Sequence, residues 1–441
     1  MQLTAANSTS PDSRCLSSAA AVLALSVLFT ANVSAQRAQE GQERETTQTA
    51  AMTEKVYTRL TEAQEIIEDK RYDEGLKILS DLLQLRNLTS YERAQIYNYF
   101  AYTYFTLERY KDAITAYENV LRQPELPIAL VQSSTYTLAQ LYFIQEDYTK
   151  AIQLINEWFG MTDKPTENAY MLLGQAYYQI EKYRESLVPL NTAYRLVKER
   201  GDQPKENLLL LLRVNYYNIN DYDNMIRVLK EMVTLYPKSE YWLTMGGAYS
   251  ELKQMQKQMS IFEMLYELNV LERENQQLNL ANLYLMHEVP YKAALVLDKG
   301  IKAGIIKPEV RNLRLLSQAW LQSQESEKSI PPLREAASKS DDGELEVRLA
   351  QAYINLDQYK EAIDAINRGL RKGEIKRLDQ AYLMLGMAQL ELKNYNAAID
   401  AFSEAAKDRR SEKSAVQWRS FAQSEKNREA ELERSLEARR G

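Results

Sequence analysis

Apolar and small positions recur along most of the chain in a fixed frame: a small residue, an aromatic three positions later, a tyrosine six further on, and another small residue three beyond that. The frame is plainest in Ala101-x-x-Tyr104 with Tyr110-x-x-Ala113, and in Ala139-x-x-Tyr142 with Tyr148-x-x-Ala151. It returns in Gly174/Tyr177/Tyr183, in Tyr216/Tyr222 and in Ala350/Tyr353/Tyr359/Ala362. Residues three or four apart share one face of a helix. Each unit therefore predicts two amphipathic helices joined by a short turn, packed face to face.

The turn position falls at Tyr72, Tyr110, Tyr148, Tyr183, Tyr222, Met255, Pro290, Ser326, Tyr359 and Tyr395, so successive units lie 33 to 39 residues apart. The longer intervals coincide with breaker clusters at Gln123-Pro124-Glu125-Leu126-Pro127, Met161 to Pro165 and Gly201-Asp202-Gln203-Pro204, which lengthen connections without removing helices. A small residue (Ala101, Ala139, Gly174, Gly246, Ala281, Ala350, Gly386) is needed where the two helices of a pair cross closely. A second set, Ala113, Ala151, Ala293, Ala362 and Ala398, serves the partner helix. Arg213 stands where a small residue is expected, so the packing angle there is open, as it is around the eighth unit. One helix pair cannot bury its apolar face alone, and stability must come from stacking.

A unit of this kind resembles the tetratricopeptide repeat, of roughly 34 residues, and the resemblance covers about Thr53 to Arg410. It implies an all-α fold: a right-handed superhelical α-solenoid of about ten helix–turn–helix repeats, with 411–441 forming a C-terminal capping helix. In that architecture the first helix of each repeat lines the concave surface. Four residues beyond the small landmark, repeats two to five present Phe105, Phe143, Tyr178 and Tyr217; one residue beyond it, Tyr102, Gln140, Gln175 and Val214. Three residues before it, Tyr136, Met171 and Leu210 add apolar surface. The row suits an extended or helical peptide that stacks on rings while its backbone bonds the amides. The alternative is that these rings pack between repeats, as most of the 30 tyrosines must. Arg311 and Arg314 form the cationic pair on this stripe, so a clamp for a terminal carboxylate is not expected.

Composition narrows the function classes. A net charge of -6 leaves no basic surplus for nucleic acid. Arg14 followed by the apolar run Ala19 to Phe29 and by Ala31-Asn32-Val33-Ser34-Ala35 reads as a signal peptide over 1–35. The run is too short for a bilayer span of about 20 residues, so no membrane span is expected after cleavage, and the mature chain is placed in the periplasm. Gln36 to Met52, mostly Gln, Glu, Thr and Arg with almost nothing apolar, reads as a flexible leader. Cys15 leaves with the signal peptide. The mature chain then has no thiol for a disulfide, metal site or nucleophile, and its lone His287 sits at a turn.

Without Cys and with one His, no triad, metal site or cofactor is implied, and no small-molecule substrate. A carboxylate pair acting on glycans would need an acid of raised pKa, whereas Asp and Glu lie mainly on polar faces and in turns. Gly246-Gly247 lacks a phosphate-loop context and is explained by close helix packing. The expectation is a non-catalytic protein-binding scaffold. Leu138 to Phe143, Ala151 to Phe159, Gly201 to Asn207, Tyr236-Pro237-Lys238 with Tyr241-Trp242, and Pro290 to Ala294 are similar to exported tetratricopeptide proteins of Gram-negative TonB energy-transduction systems. That resemblance implies an envelope adaptor for outer-membrane uptake. A general envelope-assembly or peptidoglycan-machinery scaffold and a glycan enzyme are the competing readings.

Overall fold

The computed structural model describes residues 51–440, with side chains to residue 436. The signal peptide, Cys15 and all but the last two residues of the leader fall outside the described residues. Every regular element among the described residues is an α-helix. The first five pairs are α1 (Glu54–Glu68) with α2 (Tyr72–Leu83), α3 (Ser90–Thr106) with α4 (Tyr110–Leu121), α5 (Ile128–Ile144) with α6 (Tyr148–Phe159), α7 (Glu167–Gln179) with α8 (Tyr183–Glu199), and α9 (Glu206–Asn218) with α10 (Tyr222–Leu235). Then come α11 (Ser239–Glu251) with α12 (Met255–Glu267), α13 (Glu274–Met286) with α14 (Pro290–Lys302), and α15 (Val310–Gln322) with α16 (Ser326–Ser338). The last pairs are α17 (Glu344–Ile354) with α18 (Tyr359–Lys372) and α19 (Leu378–Glu391) with α20 (Tyr395–Ala405), before α21 (Glu412–Arg440). Two compact units divide at Met232/Val233, near the end of α10. Within each unit the hairpins stack in chain order as a solenoid of helical repeats.

All ten turn landmarks are the first residues of second helices. The reason lies in one backbone geometry. Two residues before each landmark the chain takes a left-handed conformation, at Lys70, Glu108, Glu146, Glu181, Asn220, Lys253, Glu288, Gln324, Asp357 and Lys393. The next amide then reaches back five residues to a helix carbonyl, as in Arg109 N–H to Tyr104 at 2.8 Å and Gln254 N–H to Tyr249 at 2.8 Å. This is the Schellman closure, and a left-handed L-residue costs roughly 1–2 kcal/mol. Packing within and between hairpins must therefore outweigh the turns. The breaker clusters lie where expected, in the connections between second and first helices.

The crossing residues behave as their size requires. Ala101, Ala139, Ala281 and Ala350 are fully buried. A Cβ on Gly386 would stand 2.5 Å from the Phe402 ring, and one on Gly246 2.8 Å from Phe262. Gly247 corrects the expectation of close packing for both glycines: nothing lies within 4 Å of its missing Cβ. Ser317 fills the crossing position of the eighth repeat and is buried, its hydroxyl donating to the Arg314 carbonyl. Arg213 is half-buried in the fifth.

Neighbouring repeats are joined at the starts of their first helices by carboxylates, which the helix dipole favours there. Glu92 accepts from Thr53 N–H (2.8 Å), Thr53 Oγ1 (2.7 Å) and Thr89 N–H (2.8 Å). Burial would raise its pKa, but these donors outweigh burial and hold it below the usual carboxylate range. Glu274 accepts from Lys307 N–H (3.1 Å) and Asn312 Nδ2 (2.8 Å), linking the seventh and eighth repeats. Asp379 is buried, bonded by the Arg377 guanidinium at 2.9 and 2.7 Å and by Ser411 Oγ at 2.6 Å, which ties α19 to the start of α21.

Two outcomes are expected. Gly386→Ala should cost about 1–3 kcal/mol, because the Phe402 ring is fully buried and has no room to retreat; urea unfolding measures it. The Arg377 guanidinium, then Ser411, hold Asp379 far below its ordinary pKa. A depressed folded-state pKa contributes stability above the unfolded carboxylate value of about 3.9 that is lost as pH falls through and below it. Asp379→Asn should therefore cost about 1.5–3 kcal/mol at neutral pH and should flatten the decline in melting temperature below pH 4.

Candidate functional site

The residues expected to form a binding row sit at equivalent register positions of α3, α5, α7 and α9, all in the first unit. Tyr102, Phe105, Tyr136, Gln140, Phe143, Gln175, Tyr178 and Val214 are half-buried, and Tyr217 is 54% exposed. The structure thus makes them neither an open ladder nor a closed core.

What half-covers the rings four beyond the crossing residue is the turn tyrosine of the same hairpin. Phe105 meets Tyr110 with centroids 5.9 Å apart, Phe143 meets Tyr148 at 5.2 Å, Tyr178 meets Tyr183 at 5.8 Å, and Tyr217 meets Tyr222 at 6.4 Å. Three of the four are edge-on, the arrangement that ring quadrupoles favour. The left-handed turn brings the end of one helix over the start of the next. Each pair is therefore a clasp within a repeat, and it occurs where the sequence places a ring at both ends of the turn. The Tyr217 contact is the longest of the four, and its ring is the exposed one.

Tyr136 is placed differently. Its ring lies 5.0 Å from Trp158, which lies 5.7 Å from Phe159, which in turn lies 4.7 Å from Tyr170. This run carries the row from α5 across the end of α6 to α7. Burial pushes the Tyr136 hydroxyl up to about 12 against a hydrogen bond with Gln140. It stays protonated and fixes the amide beside it. Trp158, Phe159 and Tyr170 escape a search along first helices alone; the adjacent rings Trp158-Phe159 at the end of a second helix are the signal that marks them. Met171, expected to add apolar surface, is instead taken into the core at 7% exposure, while Leu210 is half-buried.

Beyond this row, Arg311 and Arg314 are both exposed on α15. His287 ends α13 at the turn, as its position suggested. Glu92, Glu346 and Asp379 are buried, exceptions to the expectation that acids lie mainly on polar faces and in turns, because each is enclosed by donors from an adjoining segment and, for Glu92 and Asp379, from its own. The displaced carboxylates Glu74, Glu92, Glu263, Asp379, Asp408 and Glu429 are all displaced downward. A general acid needs the reverse.

Comparison with known proteins agrees with this geometry. Residues 347–415 match the family described as tetratricopeptide repeat, and residues 131–193 match that of anaphase-promoting complex, cyclosome, subunit 3. No curated protein matches the chain. Among solved structures, a tetratricopeptide repeat protein from Parabacteroides merdae is 15% identical over 56% of this chain and 94% of its own, with a TM-score of 0.34. YrrB, a TPR protein with an unusual peptide-binding site, is 13% identical over 43% of this chain and 96% of its own, with a TM-score of 0.35. The Cut9–Hcn1 tetramer is 13% identical over 83% of each chain, at 0.29. Residues 347–415 are thus similar to tetratricopeptide repeats, and the ten hairpins form a solenoid of helical repeats. Proteins of that fold typically serve as non-catalytic scaffolds for other proteins.

The clasp makes a measurable distinction. Tyr178→Ala removes a half-buried ring and its contact with Tyr183, and should cost about 1–2 kcal/mol. Tyr217→Ala removes a more exposed, looser one and should cost less than about 1 kcal/mol. Thermal unfolding of the two variants ranks them; equal losses would contradict the difference in exposure.

Proposed function

We propose that the chain is an exported, non-catalytic adaptor in the periplasm that binds a peptide segment of another envelope protein along the row from Tyr102 to Tyr217, in the service of TonB-linked outer-membrane transport. The observation that carries the binding reading is the row itself: rings held in place by their own turns, each left partly uncovered, and amides Gln140 and Gln175 interleaved. Preformed rings cost a ligand little ordering entropy, and Gln side chains match a peptide backbone's donors and acceptors. The signal-like segment 1–35 and the resemblance to proteins of TonB systems support the compartment and the partner class. No helix among the described residues is long and apolar enough to cross a membrane.

A photoreactive residue at Tyr217, the most exposed ring of the row, tests the proposal in intact cells. Crosslinks to a component of a TonB system, lost when Gln140 and Gln175 are both changed to Ala, are the expected result. Crosslinks to septal or wall-synthesis proteins would move the function to envelope assembly. Recovery of the protein in the cytosol would overturn the export reading.

A further inference from the structure

In the second unit α21 has the frame of a first helix, and no second helix follows it among the described residues. In α21, Ala422 is the crossing residue and packs fully buried, with Ala415, against α20. Trp418 stacks on Phe402 at 6.2 Å, and Lys393 pairs with Glu429 at 2.9 Å, so this face of the helix is settled. The positions four and one before the crossing residue are closed in some repeats, by Leu209 and Leu212 in the fifth and Leu313 and Leu316 in the eighth, all 3% exposed or less, and half-buried in others, as at Tyr382 and Leu385 in the tenth. In α21 the same two positions are Trp418 and Phe421, 37% and 49% exposed. Nor can the local chain supply the missing helix. The turn would come just ahead of Glu431, nine residues after Ala422, and α21 runs through that point unbroken to Arg440.

The uncovered face continues along the helix. Trp418, Phe421, Glu425, Arg428 and Leu432 follow one another at steps of three and four, the spacing of a coiled-coil seam. Leu432 and Leu436 are 58% and 45% exposed. This stripe complements itself when reversed. Placed antiparallel on its own copy about a two-fold axis, Phe421 faces Leu432, Trp418 faces the turn holding Leu436, and Glu425, which pairs with Arg428 of its own helix in the single chain, faces the other copy's Arg428, with every contact made twice. An ion pair at the centre is flanked by apolar layers, whereas a parallel pairing would set Glu425 against Glu425.

We propose that α21 is a homodimerisation helix, each copy's Leu432 and Leu436 serving as the missing second-helix surface for the other copy's Trp418 and Phe421. Light scattering and sedimentation of the full chain test this. The expected result is a concentration-dependent dimer whose dissociation constant rises at least about 30-fold on Phe421→Glu, with helicity unchanged because that ring lies outside the hairpin core. Leu432→Glu, farther from α20, should act in the same direction. Glu425→Arg alone should weaken the dimer by setting arginines opposite each other, and Glu425→Arg with Arg428→Glu should restore it. A chain that stays monomeric at high concentration, or a dimer indifferent to all four variants, overturns the proposal, and in either case the face belongs to another occupant.

Discussion

The backbone bond that closes each hairpin governs the rest of the structure. An amide just ahead of the second helix reaches back to the carbonyl five residues earlier, across a left-handed residue, and so fixes the angle at which the two helices diverge. With the angle set, the crossing nine residues before the second helix takes a small side chain in every repeat but the fifth, where Arg213 stands, and Gly386 lies against Phe402 with no space for a methyl group. The same turn folds the end of the first helix over the start of the second and produces the aromatic clasps of repeats two to five. Crossing, clasp and turn are one geometric fact seen at three positions.

Between hairpins the chemistry changes from apolar packing to carboxylates at helix starts. Glu92, Glu274 and Asp379 each take donors from a neighbouring segment 32 to 39 residues away in sequence. A carboxylate there satisfies amides that a helix start leaves unpaired and also meets the positive end of the dipole. The penalty of burying the charge is offset by several short donors instead of one.

The division between what could be read from the sequence and what could not follows from covalent distance. All ten second-helix starts were legible, because the crossing residue, the aromatic and the turn lie within nine residues and the turn geometry ties them rigidly. The shared register of the row on α3, α5, α7 and α9 was legible for the same reason. Its degree of cover was not: Met171 is closed and Tyr217 open at related register positions, and only the packing of adjoining helices decides which. Gly246 and Gly247 are adjacent in sequence, yet one touches Phe262 and the other touches nothing, since a helix turns 100° per residue. The buried acids were missed because partners such as Thr53 for Glu92, Arg368 for Glu346 and Ser411 for Asp379 lie 22 to 39 residues away in sequence, and no periodicity carries that information.

The turns hold a further consequence. Each hairpin among the ten bends at a polar, non-glycine residue forced into a backbone region that L-residues avoid. A lone hairpin buries too little to hold that strain, so it stays open until its neighbour arrives. During synthesis, then, structure advances along the nascent chain one repeat behind the polypeptide that has emerged, and the newest repeat is always the unfolded one.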